Sequence, residues 1–480
     1  MKSWEPVIGI EVHVELKTAS KMFCGCAVTF GDEPNTNVCP VCLGLPGAMP
    51  VVNATAMESI IRIGLALHCE IAPHSVFHRK NYFYADLPKN YQVSQFDLPV
   101  AVNGWLDVGV DGQSTRIGIE RAHMEEDTGK SLHQGGGGRI HSATATRLDF
   151  NRSGVPLVEI VSRPDLRSAA QARTYAQELR ALVAELDVSD ARMEEGSIRF
   201  DANVSVREQG SSVLGTKVEI KNMNSFRSLE RAVASEISRQ IEVLDSGGAV
   251  IQETRHWDEE AGSTRSMRTK EGSSDYRYFT EPDLLPLVFA AETIDRLHSE
   301  LPESPADRRS RLEGIGVEAA VARVLAMSEP ELRTIFADAL SEGADPGQAA
   351  NWVTGELTAA FRRTGSSAGV DGFGLAGLLD MVKDGKLSSS AAKEVLTEMV
   401  ASGEPATAVA ERLDLLQVSD AGAIDQAVAD VLLAQPDAVR RYQSGEEKII
   451  GFLVGLVMKS TGGKADPKLV NETLRRRLNA

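Results

Sequence analysis

Apolar spacing changes character once along this 480-residue chain, and no single core accommodates both parts. Up to about residue 290, apolar and polar positions alternate in several segments, the period of a strand that buries one face. Ile8, Ile10, Val12 and Val14 alternate with Glu11, His13 and Glu15, and Ala202, Val204 and Val206 with Asp201, Asn203, Ser205 and Arg207. Lys217, Glu219 and Lys221 likewise share a face, while Ala169–Leu186 and Leu229–Leu244 carry helical spacing. Beyond Pro282–Pro286 and the junction Leu301–Pro305 the strand period fades. Ala350, Val353, Leu357 and Phe361 form a helical stripe, and Ser388 can cap a helix that Gly403 can end. Ile449, Phe452, Leu453 and Leu456, then Leu469, Leu474 and Leu478, repeat the pattern. The expectation is an α+β protein with a mixed domain over residues 1–295, an all-α domain over 296–405 and a small helical tail over 406–480.

Chemistry-bearing residues crowd the first domain. Glu11, His13 and Glu15 would stand together on the polar face of their strand, either around a cation or in water. Glu125-Glu126-Asp127 offers the same two readings, since adjacent carboxylates repel unless solvated or bound to a cation. Taken with Glu11 and His13, the run points to Mg²⁺, a hard cation that often bridges carboxylates to a nucleotide. Cys24-Gly-Cys26 and Cys39-Pro-Val-Cys42 make two close pairs, the pattern of a tetrahedral zinc site; disulfides are the rival, though nothing else points to an oxidising compartment. Cys69 reads as a small buried hydrophobe. Arg79-Lys80 beside Tyr82, Phe83 and Tyr84 suits either phosphate and base contact or a strand edge with snorkelling cations. Thr128-Gly129-Lys130-Ser131 is no Walker loop, because Met124 stands where the first glycine is required.

A formal net charge of −17 excludes a general nucleic-acid coat but leaves room for local basic patches. Candidates are Arg139, Arg147, Arg152, Arg163 and Arg167, with Arg475–Arg477 equally able to be a solvated helix end. The first residues lack a signal-peptide core, and Ile449–Met458 is about half a membrane span, so a cytoplasmic protein with no membrane partner is expected. Gly135–Gly138 reads as a surface loop.

Val7–Leu16, Ser20–Cys24, Cys39–Gly47, Arg79–Tyr84, His123–Asp127, Met193–Ser197, Asp201–Arg207, Glu219–Asn222 and Asp275–Phe279, in that order, resemble the GatB family, the B subunit of bacterial aspartyl/glutamyl-tRNA amidotransferases. Weaker likeness continues through Asn351-Trp352 and Gly355–Leu357. The resemblance implies a ligase in a heterotrimer with an amidase-type A subunit and a small C subunit. The reaction it implies is ATP-dependent amidation of Glu-tRNA(Gln), and in many members of Asp-tRNA(Asn), through an acyl phosphate, with ammonia from a partner. It also implies a cradle-like catalytic domain and a tail that grips tRNA. Glu11, His13, Glu125, Glu126 and Glu159 match the catalytic positions, the first four as Mg²⁺ ligands. Lys80, Tyr82, Arg207, Lys217 and Lys221 are candidates for ATP, phosphate or aminoacyl-end contacts, and Cys24, Cys26, Cys39 and Cys42 for structural zinc. Ala85, Thr280 and Leu456 depart from the family's usual residues. From the residues alone, a metal-dependent nuclease or phosphoesterase and a zinc-containing RNA-binding adaptor remain open.

Overall fold

The alternating segments of the first part assemble into one nine-stranded sheet. In chain order its strands are β1 (Trp4–Glu15), β2 (Glu70–Ile71), β3 (Ala101–Val110), β4 (Gln113–Glu126), β5 (Pro156–Ser162), β6 (Ile198–Glu208), β7 (Val218–Lys221), β8 (Glu253–Asp258) and β9 (Ser263–Thr269). Across the sheet they run β9-β8-β7-β6-β1-β5-β4-β3-β2, antiparallel throughout except for β7 and β8. The N-terminal strand is therefore the middle one. The structure, a computed structural model, describes residues 3–110, 112–135, 143–269, 276–364, 369–417, 421–461 and 465–479. Most of the expected glycine loop and Arg139 lie outside them.

One sheet face is apolar and covered by helices. Ile8, Ile10, Val12 and Val14 of β1 join Ala122, Met124, Val158, Ile160, Phe200 and Val204 in a core that water does not reach. Against it pack α1 (Ala169–Glu185) and α2 (Phe226–Asp245), which also pack on each other, and the helix Ala54–Ala66. Ser168 and Ser225 cap α1 and α2, each Oγ accepting from the amide three residues on. Cys69 is buried in this core, as expected. Beside the sheet, His78–Asn81 pairs with Tyr91–Ser94 on one side and Phe279–Thr280 on the other.

Chain contacts divide the protein into two units, Met1–Pro305 and Ala306–Ala480. The second unit is helical in its described residues and holds two apolar cores. The first collects Leu325, Phe336, Val353, Leu375, Val395 and Met399, and continues into Ala406, Val409 and Ala410; the other collects Ile424, Val428, Leu453, Val457, Val470 and Leu474. Ser388 caps Ser389–Ser402 and Gly403 ends it at φ 73°, both as the sequence predicts. Two details differ from expectation. Val353–Leu357 takes a π-helical turn, which the spacing gave no sign of, and Phe452 turns outward at 51% exposure while Ile449, Leu453 and Leu456 pack inward.

Candidate active site and metal centres

The other face of the sheet is polar, and strand register lays its charges out in rows. His13 of β1 stands opposite Arg199 of β6 on one side and Glu159 of β5 on the other; Glu159 in turn faces His123 of β4. One row away Glu11 faces Asp201, whose carboxylate accepts from Lys221 Nζ at 2.7 Å. His13 Nε2 lies 3.6 Å from Glu159 Oε2, and His123 Nε2 lies 3.5 Å from the same oxygen and 3.4 Å from Glu125 Oε1. Glu125 also accepts from Gln92 Nε2 at 3.1 Å and Ser94 Oγ at 3.0 Å, with Lys80 Nζ 3.8 Å away. The Lys80 ammonium lies 5.1 Å from the centre of the Tyr276 ring, and Tyr82 stands edge-on to that ring.

The charges tune one another. Burial penalises the His13 cation, but a hydrogen bond to Glu159 and the nearby carboxylates of Asp201 and Glu125 push its imidazolium up to about 9. Burial likewise works against ionised Glu159, yet His123 and His13 hold its carboxyl well below the usual range. Burial also opposes ionised Glu125, and Lys80 holds its carboxyl below the usual range. At the end of the row, burial and Asp127 push the Glu15 carboxyl up to about 8, whereas Arg199 and Arg152 keep Asp127 ionised.

Ligand atoms of His13, Glu125 and Glu159 all lie within 4.8 Å of one another. Two carboxylate oxygens suit Mg²⁺ or Mn²⁺, and an imidazole nitrogen beside them suits a softer divalent ion as well. This donor set fits a divalent cation. Glu126, grouped with these residues in the sequence reading, is not brought to them. Strand alternation turns it away, and it forms a close ion pair with Lys89 while accepting from the Val93 amide at 2.9 Å. Glu11 shares the polar face but accepts from Asn203 Nδ2 at 2.8 Å, outside the cluster.

The other candidates are dispersed. Arg207 donates to Glu5 at 2.6 Å near the far end of β6, and Lys217 lines a separate hollow with Glu11 and Asn203. Lys221 lines a cavity of about 390 Å³ with His13, Arg199 and Asp201, walled by Met193, Met223, Asn222 and Asn224. Arg152, Arg163 and Arg167 are committed to Asp127, Asn103 and Glu5, and Arg476 and Arg477 to Asp425. Sequence reasoning passed over His123 and Lys89. His123 carried a usable signal, the strand spacing that places it beside Glu125.

Cys24, Cys26, Cys39 and Cys42 meet in one group, every Sγ within 4.8 Å of the others and none in a disulfide. The Cys39 amide donates to Cys42 Sγ at 3.2 Å. A hydrogen bond from Cys24, partly offset by burial and aided by the Cys39 amide and the Lys21 charge, pulls the Cys42 thiol down to about 4. Four soft sulfurs at this separation fit tetrahedral zinc.

Residues 6–295 match the family model described as the GatB/GatE catalytic domain, and residues 334–478 match the GatB domain. The chain is 52% identical to a Moorella thermoacetica protein over 99% of this chain and the whole of that one. It is 47% identical to a Carboxydothermus hydrogenoformans protein, covering all of this chain and 99% of the other, and 48% identical to a Geobacter sulfurreducens protein over 99% of both. All three are named as the B subunit of an aspartyl/glutamyl-tRNA(Asn/Gln) amidotransferase.

Proposed function

Since the chain belongs to the GatB family, we propose that it activates the side-chain carboxylate of Glu-tRNA(Gln), and of Asp-tRNA(Asn) where that substrate exists, for amidation in protein biosynthesis. The carboxylate attacks the terminal phosphorus of ATP and ADP leaves; ammonia then opens the acyl phosphate, releasing phosphate and a proton. The observation that carries this reading is the meeting of His13, Glu125 and Glu159 beside both Lys80 and the cavity lined by His13, Arg199, Asp201 and Lys221. That cavity holds charges of both signs, which suits an aminoacyl end bearing a free ammonium and a carboxylate. Lys80, kept charged by Glu125 against the cost of burial, is placed to neutralise phosphate oxygens. When bound between Glu125, Glu159 and His13, a divalent cation supplies further charge neutralisation as two anions approach. Tyr82 and Tyr276 offer ring faces beside Lys80 for a base or ribose.

The relatives are each named as one subunit of an amidotransferase, which supports a multi-subunit assembly. In our reading an amidase-type A subunit releases ammonia from glutamine, a small C subunit completes the heterotrimer, and residues 406–480 grip the tRNA. No helix among the described residues is long and apolar enough to cross a membrane, and the proposed reaction belongs in the cytoplasm.

The test is turnover by the reconstituted complex with ATP, glutamine and Glu-tRNA(Gln). Gln-tRNA(Gln) should form with one ADP per amidation. RNA cleavage without ATP would instead make the cluster a nuclease centre, and tRNA binding without any turnover would leave only an adaptor.

A further inference from the structure

Lys21 is among the most deeply buried side chains of the protein, 1% exposed, and among the described residues no carboxylate pairs with it. Its Nζ donates to Asn37 O at 2.7 Å, to Phe150 O at 3.2 Å and to Cys42 Sγ at 3.7 Å, so all three ammonium hydrogens have partners. Two of these are neutral carbonyls. A buried ammonium needs an opposite charge, because neutral dipoles alone do not replace its hydration. The sulfur of Cys42 is the one group in this set that can carry a negative charge. Four thiolates around Zn²⁺ leave a net charge of about −2, which in turn needs a cation close by.

We propose that Lys21 is the built-in counter-ion of the four-cysteine centre and the clasp that fastens it to the catalytic sheet; the inference rests on the zinc reading of that centre. Asn37 belongs to the loop between the two cysteine pairs, so the ammonium holds that loop closed over the sulfurs. Phe150 lies on the segment that leads to Gly154, where the Met22 amide donates to Gly154 O at 2.8 Å and the Gly154 amide to Asp127 O at 2.9 Å. Backbone and side chain of Lys21-Met22 thus join the sulfur centre to the end of β4, beside Glu125 and Glu126. A Cβ on Gly154 would meet Cys42 Cβ at 3.5 Å and Lys21 Cδ at 3.5 Å, so the three segments are in close contact. A methionine at position 21 would fill nearly the same volume while removing the charge and the hydrogen bonds.

The experiment compares purified full-length wild type, K21M, K21R and C42S. Zinc per chain is determined by elemental analysis, followed by the rate at which a chromogenic chelator withdraws it. K21M should lose zinc about ten- to a hundredfold faster than wild type. With Co²⁺ in place of zinc, the sulfur-to-cobalt charge-transfer band should move to lower energy in K21M, since thiolates without the ammonium are easier to oxidise; a side chain that merely filled space would leave the band in place. K21R keeps the charge and should retain zinc better than C42S, and it decides the matter if K21M does not fold. A zinc-bearing wild type with K21M equal to it in release rate and spectrum overturns the counter-ion role alone, as does K21R losing zinc as fast as C42S. A wild type that carries no zinc under non-chelating conditions overturns the zinc reading on which the inference stands.

Discussion

Glu125 and Glu126 are neighbours in sequence, yet strand alternation gives them different surroundings. Glu125 faces His123, Lys80 and the His13–Glu159 pair, whereas Glu126 is locked to Lys89 and to the backbone of Val93. E125Q and E159Q should each lower ATP-dependent amidation by about a hundredfold while tRNA affinity stays near wild type, measured as single-turnover rate against filter binding. E126Q should act first on stability. It leaves the buried Lys89 ammonium unpaired, and chemical denaturation should register a loss of about 3–5 kcal/mol. His13 adds a pH signature. Its imidazolium persists to about pH 9 in the metal-free protein, so a cation that uses its nitrogen must displace a proton. Below that pH, divalent-ion affinity should rise up to about tenfold per pH unit and level off above it. Mn²⁺ titration of wild type and H13Q across pH 6–9.5 checks this, and a wild type no steeper than H13Q would remove His13 from the ligand set.

Secondary elements were legible where one local signal sufficed. Alternation in β1 gave both its buried face and the shared side of Glu11, His13 and Glu15, and the serine at 388 marked where one helix begins. What lies beside β1 was not legible. Its neighbours β5 and β6 come from far along the chain, and nothing near residue 13 signals that Glu159 will stand opposite. For the same reason Glu126 stands apart from His13, Glu125 and Glu159, although the sequence sets it beside one of them. Adjacency in sequence stood in for adjacency across strands, and only pairing register supplies the latter. The cysteines were easier, because two tight pairs and one short loop confine four sulfurs without any knowledge of the sheet. At the end of Ser389–Ser402, Gly403 holds φ 73° with nothing within 4 Å of where a Cβ would sit. G403A therefore costs backbone strain alone. It should destabilise the helical unit by about 1 kcal/mol, seen in its unfolding transition, with no change in zinc content.

Across the whole molecule, the acidic balance means that tRNA attraction must come from a few local contacts. A truncation that tests the tail should follow Gln417, because Val409 and Ala410 belong to the core that includes Val395 and Met399. The truncated complex should bind tRNA more weakly, with a shallower dependence of affinity on salt, while glutamine hydrolysis by the proposed amidase-type partner continues. Equal affinity at matched salt would take the tail out of recognition. The central position of β1 also carries a cost during synthesis. The strand made first leaves the ribosome with Ile8, Ile10, Val12 and Val14 uncovered, and neither flanking strand is complete until Ser162 and Glu208 have been added. At roughly 5–20 residues per second, the second partner arrives about 10–40 s later. For that interval the nascent chain displays a sticky β-segment with no mate, so production of this protein should depend on a chaperone at the exit tunnel far more than the stability of the finished fold would suggest.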